Sequence, residues 1–267
     1  LCTTVWMLLH TGKPSSAVGR FAIVLPKDQM LAIINPQQVA ISPDGSRIVY
    51  AGLRGGQRSM YMRPIDELDA RLIEGTAGTT NPFFSPDGQF LAFGRQGARG
   101  QFVRLALSGG APVPITTYEG SMGATWGPDG SVVWGDIGLW RVAASGGTPE
   151  SVIPPDIDRG ERWYRGPTFL PGGRGIVFTV GTVDGETYDD GRIAVLDLET
   201  REKRILIEGG MSPRCSPSGH LVYARSGSLL AVPFDLSSLQ VSGQPFKVLD
   251  GVFMSVNRGS AEYDIAA

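Results

Sequence analysis

A four-residue turn that returns at near-constant spacing constrains this chain more than any other feature. Ser42-Pro43-Asp44-Gly45 recurs as Ser85-Pro86-Asp87-Gly88, Gly127-Pro128-Asp129-Gly130, Leu170-Pro171-Gly172-Gly173 and Ser216-Pro217-Ser218-Gly219. The five prolines follow one another at 43, 42, 43 and 46 residues. A period of about 40–45 residues, with short strands between turn signals, is the signature of a β-propeller in which each repeat is one four-stranded blade.

Each repeat reads alike. A short strand precedes the turn: Val39-Ala40-Ile41, Pro82-Phe83-Phe84, Ala124-Thr125-Trp126, Pro167-Thr168-Phe169 and Pro213-Arg214-Cys215. A run rich in aromatic and β-branched residues follows it, as in Arg47-Ile48-Val49-Tyr50 and Phe90-Leu91-Ala92-Phe93, and two more such runs complete the unit. That enrichment, bounded by Gly, Pro and Asp, predicts strands. No stretch sustains helical periodicity over three turns. In the turn, proline presets φ, aspartate bonds its own backbone and glycine takes the positive φ that leads into the next strand. The turn residues are therefore expected to be structural, and function is expected at the opposite ends of the inner strands.

The expectation is an all-β chain of 267 residues forming a single domain over 1–267. Five complete blades would span 37–250, and 260–266 would be the inner strand of an incomplete sixth blade. Two strands within 1–25, Thr3–Leu9 and Phe21–Leu25, would close that blade from the other terminus, since joining strands from both termini removes open edges. A five-bladed ring with loose ends is the rival. The apolar run Leu1–Leu9 is too short to span a bilayer and reads as a strand or as the tail of a truncated membrane helix.

Composition narrows the chemistry. A formal charge of −2 argues against nucleic acid as a partner. The two cysteines, Cys2 and Cys215, cannot build a structural zinc site, and nothing supports a disulfide between them. Cys215 reads as a buried thiol. Only His10 and His220 are available for acid–base work, and His220 opens a strand, where a packing role is expected. Serine-nucleophile elbows, phosphate loops, dinucleotide fingerprints and zinc-protease motifs do not occur.

Inner-strand starts converge on a propeller axis, so oxygen-bearing residues there suit Ca²⁺, which takes six to eight oxygens. The channel candidates are Gln38, Asn81, Asp136, Glu161, Arg165 and Glu262, with Asn81, Glu161 and Glu262 as metal candidates. Two acidic stretches, Asp156–Asp158–Glu161 and Asp184–Glu186–Asp189–Asp190, lack calcium-loop spacing and read as solvated surface. The cluster Arg159-Gly160-Glu161-Arg162-Trp163-Tyr164-Arg165 would hold an anionic or aromatic ligand or, more simply, form a surface ion network.

The segments Ile41–Gly45, Tyr61-Met62-Arg63-Pro64, Phe83–Gly88, Gly138-Leu139-Trp140-Arg141-Val142, Phe169–Gly173, Gly219–Arg225 and Val232-Pro233-Phe234-Asp235 resemble the TolB-like, PD40 (WD40-like) propellers. The resemblance is greatest to the propeller that bacterial serine/threonine kinases of that group carry after a transmembrane helix. It covers residues 20–267; kinase motifs do not occur. It implies a binding or sensory module in a periplasmic or extracellular setting, cut from a membrane-anchored parent. Its partners would be a small molecule, protein or peptide at the propeller face. Two other readings stand beside it: a metal-dependent hydrolase of esters, lactones or phosphotriesters at the channel mouth, and a scaffold that self-associates through the incomplete blade.

Overall fold

The computed structural model describes residues 22–32, 37–97, 99–182 and 187–266. The chain is all-β, with one antiparallel sheet for each repeat, and the five sheets form a propeller. The inner strands are Val39–Ile41, Thr79–Phe84, Ala124–Trp126, Glu161–Phe169 and Met211–Ser216. In every blade the second strand pairs with the inner one and the third strand pairs with the second. The strands lie where the repeat places them.

The turns form as their chemistry dictates. The amides of Gly45, Gly88, Gly130, Gly173 and Gly219 each donate to the carbonyl three residues earlier, at 2.8–3.1 Å. All five glycines have φ between 66° and 76°. In the first turn Asp44 accepts from the Ser42 hydroxyl at 2.5 Å and the Ser46 amide at 3.0 Å. Those bonds, the Ser42 one foremost, lower its pKa to about 2.

Neighbouring blades stack through apolar side chains from both faces of each sheet. Phe84 packs with the core between blades 1 and 2 and Phe83 with the core between blades 2 and 3. Val132 and Val133 divide likewise, as do Ile176 and Val177. A strand covered on both faces alternates between two cores rather than between core and water, which is why these runs read as continuously apolar.

The closing sector differs from expectation. Ser260–Ala261 is the only strand within 260–266, and it pairs with Met254–Ser255 in a two-stranded hairpin. Residues 262–266 are irregular yet bridge the ring. Toward blade 1, the Gln37 side chain donates to Tyr263 O (2.9 Å), the Gln38 amide to Glu262 Oε2 (2.8 Å) and the Ile41 amide to Asp264 Oδ2 (2.9 Å). Toward blade 5, the Ala261 amide donates to Ser212 Oγ (3.0 Å) and the Tyr263 hydroxyl to Val222 O (3.1 Å). Side-chain acceptors here replace a strand ladder because Glu262 and Asp264 supply oxygens that the local backbone does not. Of the proposed N-terminal strands, Thr3–Leu9 lies outside the described residues. Residues 22–25 form no strand; Gln29–Leu31 pairs instead with the far end of Arg47–Arg54.

Candidate functional site

The largest described cavity, about 410 Å³, opens at the turn end of the axis. Pro43, Pro86, Pro128, Pro171 and Pro217, one from each repeat, line it together with Trp126, Phe169 and Ile265. The turns that the sequence marks as structural thus also form the wall of a cavity. A proline that presets a turn also turns an apolar ring edge toward the axis, and five repeats set five such edges around one mouth.

Polar groups converge on Arg214, from the inner strand of blade 5. Its Nη1 donates to Thr168 Oγ1 (2.6 Å), its Nη2 to Gln37 Oε1, and its Nε lies 3.4 Å from Asp264 Oδ1. These contacts join blades 1, 4 and 5 to the closing segment. The ion pair is largely buried, with 12% and 18% of the two side chains exposed. Burial pushes the Asp264 carboxyl above its ordinary range, and the Arg214 charge opposes that rise. Burial likewise raises the thiol of Cys215, which is half-buried, free and lines this cavity. Cys2 lies outside the described residues. Among the described residues no histidine lines the cavity, and its carboxylate, Asp264, is paired with Arg214. Apolar walls with a few fixed polar groups suit ligand binding.

The residues singled out in the sequence are dispersed. Asn81 is buried at a left-handed φ of 55° and lines a narrow axial neck of about 20 Å³ with Gln37, Gly123, Gly166, Ser212 and Gly259. Its Nδ2 has no hydrogen-bond partner among the described residues. Gln38 and Glu262 meet each other in the closing segment, where burial raises the Glu262 pKa to about 7 against the pull of the Gln38 amide and Arg214.

Glu161 is buried away from Asn81, between blades 3 and 4. It accepts from Lys203 Nζ, from the Tyr164 hydroxyl at 2.5 Å and from the Asp156 amide at 3.1 Å. Burial pushes its carboxyl up, but these bonds outweigh that and hold it below the usual range. Asp136, its pKa raised by burial, feels the charge of Arg165. Arg165 is buried beside Trp163 and Tyr188. Among the described residues no three His, Cys, Asp or Glu side chains are grouped to hold a metal ion.

Of the acidic stretches, Asp156 caps a short turn at Ile157–Arg159 and Asp189 accepts from the Ser226 amide at 3.0 Å. Asp184, Glu186 and His10 lie outside the described residues. His220 meets Ser218 Oγ at 3.1 Å and the edge of Phe246, a packing role. Sequence reasoning missed Gln37, Thr168, Arg214 and Asp264. Arg214 stood in view as a charged residue inside an inner strand, a position where a cation needs a partner.

Fold and cavity together define a β-propeller with an axial cavity at its turn end. No family model matches the chain. It is 26% identical over 190 residues to an uncharacterised protein of Agrobacterium fabrum, covering 67% of this chain and 50% of that one. It has the fold of TolB from Acinetobacter baumannii (TM-score 0.65, 17% identity, 84% of this chain and 55% of that one). A protein assigned as TolB from Agrobacterium tumefaciens is similar (TM-score 0.60, 18% identity, 80% and 82%). So is an oligogalacturonate lyase from Vibrio parahaemolyticus (TM-score 0.54, 12% identity, 79% and 64%). The chain spans about half the length of the Agrobacterium fabrum relative and of the Acinetobacter TolB. At these identities the structural likeness concerns the fold alone, which hosts unrelated activities. No helix among the described residues is long and apolar enough to cross a membrane.

Proposed function

We propose that this chain is a non-enzymatic binding module of the bacterial envelope, periplasmic or extracellular, that takes an extended peptide or protein segment into the turn-end cavity. The carrying observation is the mouth itself: proline and aromatic edges from all five repeats around a floor held by Arg214 and Asp264. Apolar side chains of a guest would fill the walls, while its backbone amides and carbonyls would meet Gln37, Thr168 and the ion pair. An enzyme would need an activated nucleophile or base at this floor, and the groups present are committed to one another.

Selection of random linear peptides displayed on phage tests the reading. Thr125 lines the cavity from the inner strand Ala124–Trp126, whose Ala124 and Trp126 lean on the core between blades 2 and 3. Thr125→Trp would therefore place an indole in the cavity. Selected peptides are expected to bind the native chain and to lose at least about tenfold in affinity to Thr125→Trp, equivalent to about 1.4 kcal/mol. Peptides that bind both proteins equally, or a failure to enrich any, would overturn the assignment.

A further inference from the structure

The turn-end mouth repeats its proline five times but not its charge. The third residue of each turn is Asp44, Asp87 and Asp129 in blades 1 to 3, and Gly172 and Ser218 in blades 4 and 5. The three aspartates are exposed, and each follows a proline that lines the cavity. Carboxylates therefore stand along one side of the mouth, and none stands at the same position along the other.

These charges are fixed in place by the turns. In each aspartate Oδ1 accepts the amide two residues on, from Ser46, Gln89 and Ser131, at 3.0 Å, together with a serine hydroxyl. Those bonds, the serine hydroxyl foremost, hold Asp44 and Asp87 below the usual carboxylate range, so both stay ionised at physiological pH. Asp129 is answered by Arg141 at 3.5 Å. Asp44 and Asp87 have no cation of the described residues within 4.0 Å. Their turns touch: a methyl group on Gly88 would sit 3.6 Å from Pro43 Cδ. The outer loop of blade 1 joins the same flank, since the Ile65 amide donates to Ser46 O at 2.8 Å, and it adds the exposed Asp66 and Asp69. Of the nearby cations, Arg63 is buried and donates to Glu67 O, Arg71 pairs with Glu67 at 2.7 Å, and Arg47 is half-buried. Inside the cavity Arg214 and Asp264 balance each other. The floor is thus neutral and one flank of the mouth is negative.

We propose that the segment this cavity takes is basic, with a lysine or arginine beside its apolar anchor that lies over the flank of blades 1 and 2, against Asp44 and Asp87. This rests on the peptide reading above and adds to it the partner's charge and the direction in which it lies. The apolar anchor fills the mouth, the cation settles on the acidic flank, and the uncharged turns of blades 4 and 5 face the rest of the segment. Fixed charges on one side orient a guest and steer its approach more than they add raw affinity.

The peptides selected on phage are the probe. Lysine or arginine next to the apolar anchor is expected to be enriched about threefold or more over the unselected library. In fluorescence anisotropy with synthetic copies, replacing that cation by glutamine should weaken binding about fivefold or more, and so should Asp44→Asn combined with Asp87→Asn. The peptide change and the double variant together should cost little more than either alone, because they remove the same pairing. Affinity for the native chain should fall about fivefold as NaCl rises from about 50 to about 500 mM. Asparagine keeps an oxygen for the serine and amide bonds, and melting curves report folding. The peptide change and the salt series carry the test if the double variant does not fold. Peptides that enrich and lose affinity to Thr125→Trp, yet show no excess of basic residues and bind the double variant as tightly as the native chain, would overturn the basic guest and leave the peptide reading standing. Failure to enrich any peptide would overturn both.

Discussion

Replacing Glu262 by glutamine isolates the electrostatics of ring closure. The carboxyl is half-buried in the closing segment, accepts the Gln38 amide and has its pKa raised by burial from 4.5 to about 7. Its folded pKa exceeds its unfolded value, so the fold binds this proton more tightly than the unfolded chain does. The contribution is full below pH 4.5 and is lost as pH rises through about 7. At about 1.4 kcal/mol per unit, the loss amounts to at most about 3 kcal/mol above pH 8. Glutamine keeps an oxygen for the Gln38 amide and carries no charge. Glu262→Gln should therefore match the native protein near pH 4 and exceed it at pH 8.5 by up to about 3 kcal/mol. For a chain of this size that corresponds to a Tm gain of about 6–10 °C. Urea unfolding at five pH values reads the difference directly. A difference that is flat with pH, or one that favours the native protein more at pH 8.5 than at pH 4, would refute the argument.

Other expectations concern the blade 3–4 interface and the metal question. Lys203→Met removes the nearer of the two cations that face buried Glu161, leaving Arg192 at 4.0 Å, and should cost about 2–3 kcal/mol in urea unfolding, with most of it regained in the Glu161→Gln, Lys203→Met double variant. A methyl group on Gly135 would sit 2.2 Å from the Tyr164 carbonyl oxygen, so Gly135→Ala should destabilise by about 2 kcal/mol, read from its thermal melt. Elemental analysis of purified protein, with assays of chromogenic esters, lactones and phosphotriesters before and after chelation, is expected to give no bound metal and no turnover. Chelator-sensitive turnover lost in Asn81→Ala would instead promote the hydrolase reading.

The blades were legible because their cause is local. Each Pro-Asp-Gly turn specifies its own φ values, so five copies announce five sheets without knowledge of any distant contact. The sites were less legible because their causes are not local. Arg214 and Asp264 are 50 residues apart in sequence, and neither lies in a motif. Glu161 was assigned to the channel because it stands just before an inner strand expected at Pro167–Phe169. The strand instead begins at Glu161 itself, and register shifts between Glu161 and Trp163 and between Arg165 and Thr168 change which face each side chain occupies. Lys203, on the outermost strand of the same blade, then captures it. The cavity at the turns was hidden for a different reason. A proline's role in shaping a turn accounts for its presence so fully that its second role, as a wall, leaves no separate mark.

The closing segment also imposes a schedule on the newborn chain. The partners that Gln37, Gln38 and Ile41 require lie 226, 224 and 223 residues downstream. At ribosomal rates of about 5–20 residues per second, the first blade waits roughly 10–45 s for them. Blades 1 to 4 can stack in order as they emerge, each on the one before, but the seam between blade 1 and the last segment cannot form until synthesis has passed Asp264. During that interval the inner edge of blade 1 has backbone donors with no mate, a surface that chaperones or neighbouring chains can reach before the ring seals.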